Sequence, residues 1–313
     1  MNFNNRKKKL RIFHDFIAQL EWQLGLRYVA DINGGHTNAS IIKLQRVSDG
    51  VEFVAKFYLS ETNPPDLNHL KDNIVGYAGI KKIGASILIP NDYAVKIVDG
   101  LTVLVMRYLE PCFKIASQSS IECFNLLQSS VEKLTTLTVR YDFGGQYGKK
   151  SITETINYIR SFAKEISGIL PANFFDLIND PIVEVPSDYV ALFLLDFTPD
   201  NIFLKADGIT YIDPWRQNTY LGHTAISIGQ FIVSARDIYH LPNSSEGVEM
   251  LSNFALNTLP KVLGCKRYNI EQMLELGKAL QLILSAYVRR NTDIQQAIIY
   301  GQQATIALTR AIS

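Results

Sequence analysis

The chain has 313 residues, 47% of them hydrophobic and 19% charged, with 31 lysines and arginines against 30 aspartates and glutamates. That length can bury a sizeable core, in two domains or one large two-lobed one, and the composition is that of a globular protein. Charge is nearly cancelled throughout, net +4 over residues 1–115 (15 basic, 11 acidic) and −2 over 181–313 (10 basic, 12 acidic), which argues against a dedicated nucleic-acid binder.

No apolar stretch reaches the roughly 18 to 20 residues that span a bilayer, so no membrane segment is expected. Cys112, Cys123 and Cys265 are too scattered for a disulfide framework or a zinc site, and a reducing, cytoplasmic setting is the expectation. The basic run Arg6-Lys7-Lys8-Lys9 precedes LRIFHDFIAQLEWQLG, which His14, Asp15, Gln19 and Glu21 interrupt. It therefore reads as an amphipathic helix with a solvated basic start rather than a secretory core.

After this helix come RYVADI, NASIIKLQRV and VEFVAKFYL, which alternate as antiparallel strands. The breaks Asn33-Gly34-Gly35 and Ser48-Asp49-Gly50 have hairpin chemistry, because their glycines tolerate positive φ. The first break, GGHTNAS, reads either as a plain hairpin or as a loop whose backbone N–H groups approach phosphate oxygens. It is no Walker loop, since no Gly-Lys-Ser/Thr and no helix follow. Lys56, between Ala55 and Phe57, faces solvent in one reading and a cleft in the other.

Residues 66–83 read as a helix weakened by Gly76 and Gly79; YAVKIV and LTVLVMRYL then form a hairpin about Asp99-Gly100 that ends at Glu110-Pro111. Five strands with one helix after the third make a small antiparallel lobe over 1–110. Over 111–313 the pattern is mainly helical: 119–140, 151–168, 173–179, 224–240, 245–258, 269–287 and 292–311. YDFGGQYGKK, between the first two, is expected to be a surface loop.

Between the helices lies YVALFLLDFTPDNIFLKADGITYIDPW, residues 189–215. An apolar run, Tyr189 to Leu195, delivers Asp196; Asn201 follows five residues later; a hairpin about Ala206-Asp207-Gly208 delivers Asp213. Each of the three also suits a local cap or turn. Together, two carboxylates and a carboxamide set by strand ends are costly to bury unless something cationic or protic lies between them, and a divalent metal on a phosphate suits the arrangement.

The ordered set of these motifs, over residues 27–240, resembles the aminoglycoside phosphotransferase/choline kinase group of small-molecule kinases. Gly34-Gly35-His36-Thr37-Asn38 looks like the family's nucleotide loop and Val54-Ala55-Lys56 like its third-strand lysine. Residues 103–110, VLVMRYLE, look like its fifth strand running into the hinge, and Asp196 to Asn201 has the HGDxxxxN spacing. Ile212-Asp213 looks like its metal-binding aspartate. Two positions depart from the pattern: Leu194-Leu195 stand where the family has His-Gly, and Asn73, beside Asp72, falls where its helix glutamate pairs with the lysine.

The resemblance implies an α+β, two-lobed protein-kinase-like fold and ATP-dependent transfer of the γ-phosphate to a hydroxyl of a small molecule. Asp196 would act as catalytic base, and Asn201 and Asp213 would hold Mg²⁺. Gly34, Gly35, Thr37, Asn38 and Lys56 would hold the phosphates, with Met106, Tyr108 and Leu109 at the adenine. The alternative is a catalytically impaired pseudokinase that binds nucleotide or a protein partner. Asp200, Trp215, Asp237, Tyr239, Glu246 and Glu249 are acceptor-site candidates by position; the acceptor and the oligomeric state are not legible in the residues.

Overall fold

The computed structural model describes residues 3–32, 40–57, 93–98, 101–109, 120–139, 146–179, 191–194, 197–205, 208–211, 219–222 and 224–312. Close contacts divide the chain into two compact units. The first contains helix α1 (Phe3–Leu24) and strands β1 (Leu26–Asp31), β2 (Ser40–Arg46), β3 (Glu52–Phe57), β4 (Tyr93–Val98) and β5 (Leu101–Arg107). The expected helix over 66–83 lies outside the described residues.

All five strands are antiparallel, in the order β1-β2-β3-β5-β4. The β2–β3 turn is closed by Gly50, at φ 74°, and by Asp49, whose carboxylate accepts hydrogen bonds from Arg46 Nε (2.8 Å) and the Val51 amide (3.1 Å). Helix α1 stops at Gly25 (φ 64°), which donates to the Glu21 carbonyl at 3.0 Å, as a left-handed C-terminal glycine does.

Phe13, Phe16, Ile17, Leu20 and Leu24 of α1 recur at helical spacing and pack on one face of the sheet, against Ile42, Leu44, Ala55, Phe57, Val103 and Val105. The Phe16 and Phe57 rings lie 4.4 Å apart between centroids, both fully buried. Each such side chain contributes about 2 to 3 kcal/mol on leaving water. Because strand side chains alternate, assigning residues 53, 55 and 57 to the α1 face assigns 52, 54 and 56 to the other.

The second unit is mostly helical. It comprises α2 (Ser120–Val139), α3 (Gln146–Glu165), α4 (Phe174–Asn179), α5 (Thr224–Val233), α6 (Ser244–Asn257), α7 (Leu259–Leu263), α8 (Arg267–Arg289) and α9 (Ile294–Ile312). Two small sheets accompany them: β6 (Ala191–Leu194) pairs with β9 (Thr219–Gly222), and β7 (Ile202–Lys205) pairs with β8 (Gly208–Tyr211). Every residue of α5 is buried, and α8 packs against α3, α5 and α9.

Four details differ from the sequence expectation, the first being helix α7 (Leu259–Leu263), which falls between the helices expected over 245–258 and 269–287. Helix α3 begins at Gln146, inside the segment expected to be loop; Gly148 costs about 1 kcal/mol there, which packing of a 20-residue helix on α8 and β9 outweighs. Strand β9 is too short to show a period and was not expected. The helix expected over 224–240 changes at Val233 into a π-turn, Ser234–Ile238. No described helix is long and apolar enough to cross a membrane.

Candidate functional site

In the first unit, Lys56 pairs across the ladder with Ile41 of β2 and Leu104 of β5, and Val54 with Lys43 and Met106. Directly paired residues share a face. Lys56, Leu104 and Met106 therefore stand together on the face opposite α1. Lys56 is 2% exposed, which for a lysine requires polar company, and it does have an interaction partner.

Met106 ends the buried part of β5; Arg107 is exposed, and Tyr108 and Leu109 are half-buried. The Tyr108 amide donates to the Glu52 carbonyl at 3.0 Å. Lys43 binds the Glu52 carboxylate at 2.8 Å and lies 4.1 Å from the centre of the Tyr108 ring. Tyr108 is thus fastened to β3 by its backbone and to β2 by the Lys43 cation above its ring. In an antiparallel ladder, alternate residues turn their peptide groups to opposite sides, so Arg107 turns its own away from β3.

In the second unit, β6 is followed by Phe197, whose ring is 3% exposed and sits 5.7 Å from that of Phe231 on α5. Phe231 in turn meets Phe124 of α2 edge-on at 5.8 Å. The chain then makes a 3₁₀ turn, Pro199–Asn201, with the Asn201 amide donating to Thr198 (3.0 Å) and the Ile202 amide to Pro199. Proline suits the first position because its φ is already helical and it has no N–H to satisfy. Thr198 and Ile202 are buried, while Asp200 and Asn201 are half-buried.

Asp200 is held from a distance of 39 residues: Tyr239 donates its hydroxyl to Asp200 Oδ2 at 2.6 Å. Tyr239 follows the π-turn, its amide bonded to the Ser234 carbonyl at 2.9 Å. His240, at φ 47°, then reverses the chain, its Nδ1 3.0 Å from the Arg236 carbonyl, and Leu241 donates to Ala235 at 2.9 Å. Tyr300 of α9 donates to the Asp237 carbonyl at 3.1 Å. Arg236 and Asp237 form a two-pronged ion pair at 2.7 and 2.8 Å, which holds the guanidinium pKa above its ordinary value.

Of the residues singled out in the sequence, Lys56, Met106, Tyr108, Leu109 and Asn201 are described; Gly34, Gly35, Thr37, Asn38, Asp196 and Asp213 lie outside the described residues, as do Asn73 and Trp215. Lys56 and Met106 share one sheet face. Among the acceptor candidates, Asp200 and Tyr239 are brought together. Asp237 is engaged by Arg236. Glu246 and Glu249 instead line, with Gln128 and Asn253, an open cleft of about 480 Å³ whose walls contain neither Asp200 nor Tyr239. The Tyr239–Asp200 bond itself had no signal in the sequence, since no local period links residues so far apart.

Among the described residues, no three His, Cys, Asp or Glu side chains gather as a metal site. The turn at Asp200 and Asn201 carries carboxylate and carboxamide oxygens. That donor chemistry fits Mg²⁺, which takes hard oxygen ligands and keeps several waters.

No protein-family model matches the sequence, and no curated protein sequence does. Solved structures do match. An ethanolamine kinase from Plasmodium vivax is 13% identical, with a TM-score of 0.56 over 91% of this chain and 82% of that one. A thermostable mutant of aminoglycoside phosphotransferase APH(4)-Ia, in a ternary complex with ADP and hygromycin B, is 10% identical, with a TM-score of 0.54 over 95% and 98%. A microcompartment-associated aminopropanol kinase is 11% identical, with a TM-score of 0.51 over 97% and 99%. The chain has the α+β, protein-kinase-like fold of the aminoglycoside phosphotransferase and choline kinase group.

Proposed function

We propose that this protein is an ATP-dependent phosphotransferase that moves the γ-phosphate to a hydroxyl of a small molecule. The observation that carries the reading is Lys56, a lysine 2% exposed in a central strand, on the sheet face opposite α1 and beside Met106. A cation so removed from water is held among polar groups, and on this reading it also meets the nucleotide phosphates when substrate is bound. Residues 1–110 supply the nucleotide-binding lobe and 111–313 the catalytic and acceptor-binding lobe.

Phosphoryl transfer depends on positioning and charge neutralisation more than on covalent chemistry. Lys56 binds the α- and β-phosphates, and the loop of Gly34, Gly35, Thr37 and Asn38 covers them. Adenine lies against the segment from Met106 to Leu109 and bonds to its backbone groups; the Tyr108 amide is committed to Glu52. Asp196 orients the acceptor hydroxyl and takes its proton. Asn201 and Asp213 hold Mg²⁺, which supplies charge neutralisation on the phosphates when bound. The site works in the cytoplasm on a free small molecule, with no nucleic acid or membrane involved.

The test is ATP turnover with Mg²⁺ against pooled sugars, amino alcohols, nucleosides and aminoglycosides, run beside Asp196→Ala. Turnover that Asp196→Ala abolishes is the expected result. Nucleotide binding with no turnover of any pool would point to the pseudokinase. Failure to bind nucleotide at all would overturn the reading.

A further inference from the structure

We infer that Tyr239 is a positioning residue for the phosphotransfer site: its hydroxyl holds Asp200, restrains the Pro199–Asn201 turn, and so aims the Asn201 carboxamide. The inference rests on the phosphotransfer reading above and adds to it a residue outside the motifs that carry that reading.

The turn explains why a neighbour's side chain matters. In a 3₁₀ turn, consecutive side chains point about 120° apart. Once Asp200 is directed at Tyr239, Asn201 must point elsewhere, in a direction fixed relative to that bond. The two backbone bonds, from Asn201 to Thr198 and from Ile202 to Pro199, close the turn. Burial of Phe197, Thr198, Pro199 and Ile202 seats the turn, and the tether from Tyr239 adds the side-chain restraint on its half-buried residues Asp200 and Asn201. The 2.6 Å separation is that of a hydroxyl donating to a carboxylate, about twice as strong as a neutral pair.

The other end of the tether is anchored independently. The π-turn inserts an extra residue before Tyr239, through the bond from its amide to Ser234. Tyr300 fastens the Asp237 carbonyl from α9, and the His240 ring and the Leu241 amide close the reversal on Arg236 and Ala235. Single π-turns within helices recur at functional sites. This one stations a phenol hydroxyl beside the turn that carries the proposed metal ligand.

The test uses the full chain with Tyr239→Phe, which keeps the ring and removes the hydroxyl, with Asp200→Asn, and with the double variant. Calorimetry measures MgADP and metal-free ADP binding, and kinetics separates the half-saturating Mg²⁺ concentration from the KM for acceptor. Tyr239→Phe is expected to raise the half-saturating Mg²⁺ about fivefold to tenfold, with metal-free ADP affinity unchanged. Asp200→Asn should shift it the same way, and the double variant should be no worse than the more affected single variant, because both break one tether. A lower melting temperature with unchanged Mg²⁺ dependence would make the bond merely structural and overturn the inference. Should Tyr239→Phe fail to fold, Asp200→Asn decides by the same readout. If the unaltered protein binds no nucleotide, the phosphotransfer reading fails and this inference with it; if it binds and turns over and the variants match it, this inference fails alone.

Discussion

Gly229 of α5 and Gly277 of α8 mark one helix crossing, each lying against the other helix's backbone. A Cβ on Gly229 would overlap the Leu274 carbonyl oxygen, and one on Gly277 the Ile226 carbonyl oxygen. Both obstacles are main chain in buried helices, so neither can turn aside. Gly229→Ala and Gly277→Ala are each expected to destabilise the fold by about 2 to 3 kcal/mol, despite the roughly 1 kcal/mol that alanine gains over glycine within a helix. Chemical denaturation measures this; a neutral or stabilising alanine would show that the helices can separate. Since α5 carries Phe231 against Phe197, activity is expected to fall with stability.

Lys56→Met separates burial from charge. Methionine fills much of the same space on the sheet face but leaves the present partner of Lys56 unsatisfied, so a modest fall in melting temperature is expected and activity is compared below it. On the proposed reading, in which Lys56 binds the nucleotide phosphates, its removal is expected to lower kcat/KM for ATP by about 10²- to 10³-fold. Steady-state kinetics checks it. Retained turnover would remove Lys56 from the site.

His240 is a non-glycine residue in left-handed backbone, at φ 47°. Left-handed backbone costs a residue with a Cβ about 1 to 2 kcal/mol, most for β-branched side chains. His240→Val, which also loses the bond to Arg236, is expected to destabilise the fold by about 2 kcal/mol. His240→Gly exchanges that bond for relief of strain and is expected to stay within about 1 kcal/mol of the parent. Thermal unfolding of the pair distinguishes strain from a side-chain role.

Asp49 supplies a pH test in the β2–β3 hairpin. Hydrogen bonds from Arg46, and then from the Val51 amide, hold its pKa below the ordinary 3.8. The folded value lies under the unfolded one. Its contribution to stability is therefore complete above about pH 4 and is lost as pH falls through the lower folded value. Carboxyl chemical shifts followed by NMR should give a depressed midpoint for Asp49 that rises in Arg46→Met, with the Val51 amide keeping part of the depression. An unshifted midpoint in the parent would show that the Arg46–Asp49 pair does not persist in solution.

Much of this protein is legible along the chain because it is local. Alternation in SIIKLQR and EFVAKF marks strands, Asp49-Gly50 marks their turn, and Phe13, Phe16, Ile17 and Leu20 mark the helix face that covers them. Period two also dictates that Lys56 shares a side with Val54 and opposes Ala55 and Phe57. Which side α1 covers, and that β5 lies between β3 and β4, are set by tertiary packing, since alternation defines faces and not neighbours. The same division runs through the site. Pro199 and Asn201 announce a turn by their chemistry, but Tyr239 reaches Asp200 only because a buried helix changes to a π-turn and is pinned from α9. Local spacing determines which way a side chain can point; what it meets there depends on contacts between segments far apart in the chain, which no local pattern encodes.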